Sequence, residues 1–247
     1  MSIKPVIEEV EETGSTNADL LARLSGGEAL TEGFWLRAER QTGGRGRLGR
    51  KWESPSGNLF CSTVVNLNSE DHPAHTLSFV AGLAVADTLR RSLLPRAPIL
   101  LKWPNDALVR GAKIAGILLE RRGESVVVGV GVNVSYSPDI AGRDTTDIVY
   151  ENPKHGGSDS LVLSILADEF ANRLAQWRSQ PLSQILDAWM EIAHPIGTQL
   201  EAGSEDTRVS GAFAGLDSEG ALLLRLANGA IHTIHAGDVS MIAEKGN

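Results

Sequence analysis

The chain has 247 residues, of which 42% are hydrophobic and 22% are charged, and its formal net charge is −8 at pH 7. This composition is typical of a globular protein with one large and one small domain, and the acidic balance argues against a surface that binds nucleic acid non-specifically. The first residues hold no apolar segment of signal-peptide length, and no run approaches the roughly 18 apolar residues of a membrane span. We therefore expect a cytoplasmic protein that binds neither nucleic acid nor a membrane. The single cysteine, Cys61, lies in an apolar strand-like run and is predicted to be a small buried hydrophobe.

In chain order, the first predicted element is a helix that starts at the Ser-Thr-Asn sequence of residues 15–17 and ends at the glycine pair 26–27. Strands are predicted in GFWLRAER and NLFCSTVVNL, and residues 77–94 fit a largely buried helix. Three further strand-like runs follow, in ILLKWPNDALV, KIAGILLER and SVVVGVGVNVSY. Short strands in meander order, with few helices between them, predict an α+β fold built on a mixed sheet.

Two helices are predicted next, one behind the capping run at residues 157–160 and one after Pro181. Beyond residue 197, short strands are joined by the turn at residues 217–220 and by the hairpin sequence Asn228-Gly229. These strands predict a small β-barrel. We therefore expect a larger domain over residues 1–196 and a small β domain over residues 197–247.

The segment QTGGRGRLGRKW, residues 41–52, alternates glycine with the cations Arg45, Arg47, Arg50 and Lys51. Its spacing matches the GxGxxG dinucleotide fingerprint, but that motif and the P-loop both need a helix directly behind the glycines. The sequence ESPSG that follows cannot start one, because proline and glycine interrupt it. Two interpretations remain: a solvated charged face, or a loop that closes over an anionic ligand.

Polar residues interrupt the apolar strands between residues 101 and 133. Lys102, Asn105, Asp106 and Lys113 lie in one pair of strand-like runs, and Asn133 is the polar side chain of GVGVNV. Polar groups at such positions are either directed at a ligand or satisfied structurally, with Asn105-Asp106 as an ordinary turn and Lys113 as an edge residue whose ammonium reaches solvent. Glycines in the same runs permit something to approach the backbone closely. These interruptions are more numerous than turns require.

Together these motifs resemble those of the biotin protein ligases. The resemblance rests on GRGRLGRKW at 44–52, KWPND at 102–106, KIAGILLE at 113–120 and GVGVN at 129–133, with STN at 15–17 and Gln41 matching the family's opening motifs. The C-terminal GAFAGLDSEGALLL resembles the family's SH3-like domain, so the resemblance covers essentially the full chain. Members that repress transcription carry an N-terminal winged helix-turn-helix. Because STN lies so near the first residue, the chain resembles the monofunctional class.

The resemblance implies a two-step, ATP-dependent ligase. The carboxylate of biotin attacks the α-phosphate of ATP to give biotinyl-5'-AMP and pyrophosphate, and a lysine of a carrier protein then attacks the mixed anhydride. ATP and Mg²⁺ are the implied cofactors, with the metal bridging the phosphates. The implied acceptor is a biotin carboxyl carrier protein or domain, such as that of acetyl-CoA carboxylase or a related carboxylase. Because family members often pair through the larger sheet, a homodimer is compatible with the resemblance.

The resemblance also implies roles for individual residues. The implied biotin-binding residues are Ser15, Thr16, Asn17, Gln41, Gly44, Arg45, Gly46, Arg47, Lys113, Gly116 and Leu118. The implied adenylate-side residues are Arg50, Trp52, Asn105 and Asn133. Arg47 and Lys113 are implied as catalytic because they would offset the repulsion between carboxylate and phosphate, and Asp106 as a base or an orienting anion for the incoming lysine. No residue is implied as a metal ligand.

Two other functions remain open at this stage. A lipoate-type ligase shares the scaffold and the adenylate chemistry, although it would be expected to lack the GRGR loop and the KWPND run. Alternatively, the basic loop contacts the phosphates of a nucleic acid in a binding module without enzymatic activity, which would make binding strongly salt-dependent.

Overall fold

The structure is a computed structural model, and it describes residues 5–203 and 208–241. The strands are β1 (Val6–Thr13), β2 (Phe34–Gln41), β3 (Leu59–Asn66), β4 (Ile99–Lys102), β5 (Asp106–Val109), β6 (Ala112–Arg122), β7 (Ser125–Val132), β8 (Gln199–Gly203), β9 (Val209–Leu216), β10 (Leu222–Arg225), β11 (Ile231–Ile234) and β12 (Asp238–Met241). The helices are α1 (Thr16–Ser25), α2 (Leu77–Ser92), α3 (Ile148–Glu151), α4 (Asp159–Ser179) and α5 (Leu182–Met190).

The larger domain is built on a seven-stranded sheet in the order β1-β2-β3-β7-β6-β5-β4. β1 and β2 run parallel, and the other neighbours run antiparallel, which confirms the predicted mixed sheet. Both faces are covered by helices. Trp35 of β2 meets Phe170 of α4 edge to face at 5.7 Å between ring centroids, whereas Leu36 clusters with Leu20 of α1. Burial of both faces explains the near-continuous apolar run in β7.

Two sequence-based assignments need correction. β1 was not predicted, because it is an edge strand whose VIEEVEET sequence has no consistently buried face. The run ILLKWPNDALV is not one strand but two, β4 and β5, which pair antiparallel with Lys102 opposite Asp106. Residues 103–105 form the turn between them, with a cis peptide bond between Trp103 and Pro104. This turn brings the two charged residues side by side.

The small domain is a five-stranded antiparallel sheet in the order β11-β10-β9-β8-β12, consistent with the predicted small β domain. Asp217 shapes the turn at residues 217–220 by accepting hydrogen bonds from the backbone of Glu219 and Ala221. Gly229 takes φ +84° in the other predicted turn. The hydrophobic core continues from the larger sheet into this one. Among the described helices, none is both long and apolar enough to cross a membrane.

Candidate active site

A cavity of about 550 Å³ opens over strands β6 and β7. Its walls are the arginine-rich loop of residues 44–52, the β4–β5 turn, residues 138–145 and the start of β12. The structure brings nearly all the residues implied by the resemblance around this one cavity: Ser15, Thr16, Asn17, Gln41, Arg45, Gly46, Arg47, Arg50, Trp52, Asn105, Asp106, Lys113, Gly116, Leu118 and Asn133. Gly44 lies just behind the lining, where an added Cβ would stand 2.5 Å from Ser54 Oγ and 2.6 Å from the Trp52 carbonyl.

One corner of the cavity is a network of neutral polar groups at the start of α1. Gln41 Oε1 accepts hydrogen bonds from the Thr16 backbone N–H at 2.9 Å and from the Thr16 hydroxyl at 3.3 Å. Ser62 Oγ lies 2.6 Å from both Thr16 Oγ1 and Asn17 Oδ1, and Asn17 Nδ2 donates to Glu120 at 2.9 Å. This corner therefore presents fixed amide and hydroxyl groups to the cavity, whereas the Glu120 carboxylate behind them is paired with Arg45.

Three glycines in β6 and β7 form the floor, and the structure shows what approaches each. A Cβ on Gly129 would overlap the amide oxygen of Asn17. A Cβ on Gly116 or Gly131 would stand 2.8 and 2.7 Å, respectively, from the ring of Trp52. The indole therefore lies directly on the sheet, which only glycine at these two positions permits. The close approach expected from the sequence is thus made by side chains from other parts of the chain.

The other side of the cavity carries a cluster of charge around Asp106. Lys113 Nζ donates to Asp106 Oδ1, and Lys102 Nζ lies 3.5 Å from Oδ2. Arg143 Nη1 lies 3.9 Å from the same Oδ2, and Lys113 Nζ is 5.1 Å from the ring centroid of Trp52. One buried carboxylate therefore faces three cations, which leaves the cluster with excess positive charge.

The cluster shifts the pKa values of its members. Burial lowers the pKa of Lys113 and of Lys102, because a charged ammonium loses hydration there, although Asp106 opposes the shift. Burial alone would raise the pKa of Asp106, but the charges of Lys113 and Lys102 outweigh it and hold that pKa below its usual range. Asp106 is therefore ionised at neutral pH, and the site attracts anions.

The arginine-rich loop folds back on itself above the floor. The backbone N–H of Trp52 donates to the Gly44 carbonyl at 2.9 Å, and the backbone N–H of Gly46 donates to the Arg50 carbonyl at 2.7 Å. A single 3-10 turn spans Arg47–Gly49, so no α-helix starts behind the glycines. The loop is a closed β-like arch and not a dinucleotide-binding turn.

The arginines of this loop contact different parts of the protein. Arg45 pairs with Glu120 of β6 at 3.3 Å. Arg47 Nη1 donates to the Gly237 carbonyl at 3.0 Å, and its pKa is lowered by burial. Arg47 is half-buried at the edge of the cavity, and its guanidinium contacts the small domain at Gly237 and Asp238.

Asn105 and Asn133 hold the backbone around the cavity in this structure. Asn105 Nδ2 donates to the Ile117 carbonyl at 2.7 Å and so joins the β4–β5 turn to β6. Asn133 Nδ2 donates to the Thr146 carbonyl at 3.0 Å, which fixes the segment after β7. Cys61 lines the cavity but is buried, and burial raises the pKa of its thiol, which makes it a poor nucleophile.

Several charged residues of the site had no assigned role in the sequence analysis, among them Lys102, Arg143 and Asp238. Lys102 was noted among the interrupting polar residues, and its place in the KWPND motif at 102–106 is the sequence signal that could have assigned it a role. Arg143 lies in an irregular segment, and Asp238 belongs to the small domain. Neither of the latter two shows a periodicity or a motif, because tertiary contacts alone bring them to the cavity.

Comparisons with known proteins agree with this fold. Residues 15–136 match the Biotin/lipoate A/B protein ligase family, and residues 196–241 match the Biotin protein ligase C terminal domain. The fold and site thus define a ligase of the biotin and lipoate class. A biotin--[acetyl-CoA-carboxylase] ligase of Paracoccus denitrificans is 37% identical over 222 residues, which cover 86% of this chain and 91% of the relative. The chain belongs to the biotin protein ligase family and is an enzyme.

Two further comparisons cover more of the chain. A biotin--[acetyl-CoA-carboxylase] ligase of Mycobacterium tuberculosis is 35% identical over 240 residues, covering 94% of this chain and 88% of the relative. A solved biotin protein ligase of Aquifex aeolicus, in complex with biotin and ATP, superposes with a TM-score of 0.81 at 27% identity, over 97% of this chain and 99% of that one. Both domains are therefore shared with these proteins.

Proposed function

We propose that this enzyme activates biotin with ATP as biotinyl-5'-AMP and transfers the biotinyl group to a lysine of a biotin carboxyl carrier protein. The observation that carries the proposal is the cavity itself, in which a neutral polar corner and a cation cluster lie at the two sides of a glycine floor. A volume of about 550 Å³ is in the range of small-molecule sites. Such a cavity suits a ligand with an uncharged polar ring, an apolar body and an anionic end.

In the first step two anions must meet. A carboxylate oxygen of biotin forms a bond to the α-phosphorus of ATP, the bond to the bridging oxygen breaks, and pyrophosphate departs with the electron pair. Lys113 and Arg47 would offset the repulsion between the reacting groups, because their burial strengthens their electrostatic effect. Lys102 and Arg143 add positive charge on the same side.

The polar corner would hold the ureido ring of biotin. Thr16, Gln41 and buried Ser15 supply hydroxyl and amide groups, and the backbone at Gly44 to Gly46 closes over them. Both polar atoms of the Asn17 side chain are already engaged by the protein, so we assign Asn17 a positioning role. Gly116 and Leu118 would flank the ring and its tail.

The adenylate would lie toward Trp52, Arg50, Asn105 and Asn133. Within residues 5–203 and 208–241, no three His, Cys, Asp or Glu side chains lie close enough to hold a metal ion. Asp106 is the carboxylate of the cluster and already faces three cations. The donor set therefore suits a Mg²⁺ ion held by phosphate oxygens of ATP, where it would neutralise part of their charge.

In the second step Asp106 would act on the incoming lysine. Its lowered pKa favours the role of an orienting anion, because a carboxylate stabilised by three cations is a weak base. The variant Asp106→Asn, supplied with preformed biotinyl-5'-AMP, tests this role. An orienting role predicts a slower transfer with an unchanged pH profile, whereas a base role predicts that the acid limb of the profile disappears.

The test of the function as a whole is pyrophosphate release with ATP and Mg²⁺ in the presence of biotin, of lipoate or of no acid. The proposal predicts release that depends on biotin. Release with lipoate alone would establish the lipoate-type ligase. No release with either acid would favour a module that binds nucleic acid through the basic loop, and that binding should weaken steeply as the salt concentration rises.

The proposed acceptor is a lysine of a biotin carboxyl carrier domain. Mass spectrometry of a purified carrier domain of acetyl-CoA carboxylase or a related carboxylase should show one biotinylated lysine.

We place the domain boundary between residues 196 and 197, just before β8. Pairing of two copies through the larger sheet would appear as a dimer in sedimentation at micromolar concentration.

A further inference from the structure

A chain of four oxygen atoms runs through the polar corner of the ligand cavity. In order, its members are Asn17 Oδ1, Ser62 Oγ, Thr16 Oγ1 and Gln41 Oε1. The first two contacts along the chain measure 2.6 Å each, and the third, between Thr16 and Gln41, measures 3.3 Å. Ser62 is fully buried, whereas Thr16 and Gln41 line the cavity. The chain therefore connects the interior of the protein with the wall that a ligand touches.

The buried end of the chain is an acceptor whose orientation other contacts fix. Asn17 Nδ2 donates to the Glu120 carboxylate at 2.9 Å and to the Leu118 carbonyl at 3.3 Å. Because both of these partners can only accept, the amide nitrogen of Asn17 must face them and its oxygen must face Ser62. Arg45 pairs with the other oxygen of the same Glu120 carboxylate at 3.3 Å. Glu120 thus determines which way round the Asn17 amide lies.

The end of the chain at the cavity wall is fixed in the same way. Gln41 Nε2 donates to Ser54 Oγ at 3.1 Å, and that hydroxyl donates onward to the Trp52 carbonyl at 3.0 Å. Gln41 Oε1 accepts from the Thr16 backbone N–H at 2.9 Å. Since the amide nitrogen of Gln41 faces Ser54, its oxygen is the atom that faces Thr16 Oγ1, and it can only accept there.

The chain has three contacts, but only the hydroxyl groups of Ser62 and Thr16 can supply protons to them. Two oxygens 2.6 Å apart repel each other unless a proton lies between them. The Ser62 proton therefore points to Asn17, and the Thr16 proton points to Ser62. Considered alone, the geometry at Gln41 fits a hydrogen bond from the Thr16 hydroxyl, but that hydroxyl has a single proton and the shorter contact takes it. Thr16 Oγ1 and Gln41 Oε1 are left side by side as acceptors at the cavity wall.

We propose that Ser62, Asn17 and Glu120 make the polar corner selective for a ligand ring that presents an N–H group, an inference that rests on the proposed function. The ureido ring of biotin carries such groups, and the dithiolane ring of lipoate has none. The ligand N–H supplies the proton that the contact between Thr16 and Gln41 lacks. Ser62, Asn17 and Glu120 act through Thr16, so they are positioning residues. A site built to pair with a ligand N–H rejects an analogue without it, because its buried acceptors would stay unpaired.

The test compares biotin with two analogues in which one or the other ureido N–H is replaced by an oxygen atom. In the wild type, the analogue whose oxygen faces Thr16 and Gln41 should lower kcat/KM for ligand-dependent pyrophosphate exchange by about 100-fold or more. Acceptance of both analogues within about tenfold of biotin would overturn the proposal. Absence of exchange with biotin itself would instead refute the proposed function, so the two failures are distinguishable.

Ser62→Ala frees the Thr16 proton, which can then turn to the ring oxygen of the rejected analogue. The ratio of kcat/KM between biotin and that analogue should fall by about tenfold or more. A general loss of activity or stability lowers both values and cancels in the ratio. The matched control is Thr63→Val, which removes the neighbouring buried hydroxyl of β3, a donor to the Phe34 carbonyl outside the chain of oxygens. Equal ratios in Ser62→Ala and Thr63→Val would overturn the proposal.

A second set of variants acts on the chain from its buried end and leaves Ser62 in place. In Glu120→Lys a donor replaces the carboxylate that fixes the Asn17 amide, so the amide turns its oxygen to the lysine and its nitrogen to Ser62. The direction of the whole chain then reverses. Ser62 donates to Thr16, and Thr16 donates to Gln41, so the contact at the cavity wall gains its own proton.

The ratio of kcat/KM should therefore fall by about fivefold or more in Glu120→Lys, whereas Glu120→Gln keeps an acceptor for the Asn17 amide and should stay within about twofold of the wild type. Glu124→Lys, in the exposed turn between β6 and β7, carries the same change of charge and should keep the wild-type ratio. A ratio in Glu120→Lys equal to that in Glu120→Gln would contradict the proposal, including in the case where Ser62→Ala does not fold.

Discussion

Arg50 of the arginine-rich loop donates a hydrogen bond to Asp238 of the small domain, with 2.7 Å between Nη2 and Oδ1 across 188 positions of the chain. The same carboxylate oxygen lies 4.0 Å from Arg47 Nη1. The small domain thus positions two guanidinium groups at the mouth of the ligand cavity. Its contribution to the site includes the Asp238 carboxylate at the start of β12 and the Gly237 carbonyl, which accepts from Arg47.

Asp238→Asn should weaken this positioning. Both partners are partly exposed, so the pair is worth up to about 1 kcal/mol and its loss should raise KM for ATP by about fivefold. Biotin-dependent pyrophosphate exchange measures the effect. Asp168→Asn, on the exposed side of α4, is the control. A KM for ATP equal to or lower than that of the wild type would show that Asp238 does not hold the loop in its working position.

Arg47→Gly should form biotinyl-5'-AMP slowly and lose it to solvent. The guanidinium is half-buried at the edge of the ligand cavity, so its removal opens the cover over the anhydride. Free adenylate would then label lysines on bystander proteins, which mass spectrometry detects. Arg122→Gly, at the exposed end of β6, should keep labelling confined to the carrier. If labelling by the Arg47→Gly variant were also confined to the carrier, the loop would not be what retains biotinyl-5'-AMP in the site.

Asp106→Asn should destabilise the fold at neutral pH, because it leaves Lys113 and Lys102 in a buried site without a counter-charge. We expect a loss of about 3 kcal/mol in the free energy of unfolding at pH 7. Since the pKa of Asp106 is lowered from 3.8, its contribution is complete above that value and is lost as the pH falls through the folded-state pKa.

The difference between wild type and Asp106→Asn should therefore shrink below pH 4, as urea unfolding at several pH values would show. The control Asp168→Asn should give a difference near zero at neutral pH. A difference between wild type and Asp106→Asn that is the same at acid and neutral pH would mean that the carboxylate charge is not the source of the stability.

Gly129→Ala and Asn17→Ala should be coupled. The new methyl group would overlap the Asn17 amide, so Gly129→Ala alone should cost about 1–3 kcal/mol through overpacking. Removing that amide makes room, and the double variant should be more stable than the sum of the two losses by about 1 kcal/mol. Gly14→Ala, where nothing lies within 4 Å of the new Cβ, should show additivity with Asn17→Ala. Additive losses of stability for Gly129→Ala and Asn17→Ala would contradict the close contact between Gly129 and the Asn17 amide.

Local sequence patterns predicted the elements that carry long apolar runs. The helix at α2 and the strands β2, β3, β6 and β7 follow from apolar runs that both faces of the sheet bury. β1 escaped prediction because an exposed edge strand leaves no such run. The sequence left the β4–β5 turn as one of two interpretations of Asn105-Asp106, because short apolar runs on either side of Pro104 look continuous in one sequence.

The residues of the site likewise divide into those that the sequence patterns predicted and those that they did not. Glycines at 116, 129 and 131 predicted close approach to the sheet, but the sequence could not say that Trp52 and Asn17 make it. Those contacts join segments that lie far apart in the chain. Arg143 and Asp238 gave no signal in the sequence, because a charged residue in a loop or an edge strand is typical of any solvated surface. Only the tertiary fold distinguishes these two from ordinary surface charge.

The most direct measurement is a crystal structure with a non-hydrolysable analogue of biotinyl-5'-AMP. It should place Arg47 and Lys113 within hydrogen-bond distance of the oxygens that join the acyl group to the phosphate, with the ureido ring beside Thr16 and Gln41. An analogue bound elsewhere, with Arg47 still on the Gly237 carbonyl and Lys113 paired with Asp106 alone, would contradict the claim that these cations bring the carboxylate and the phosphate together.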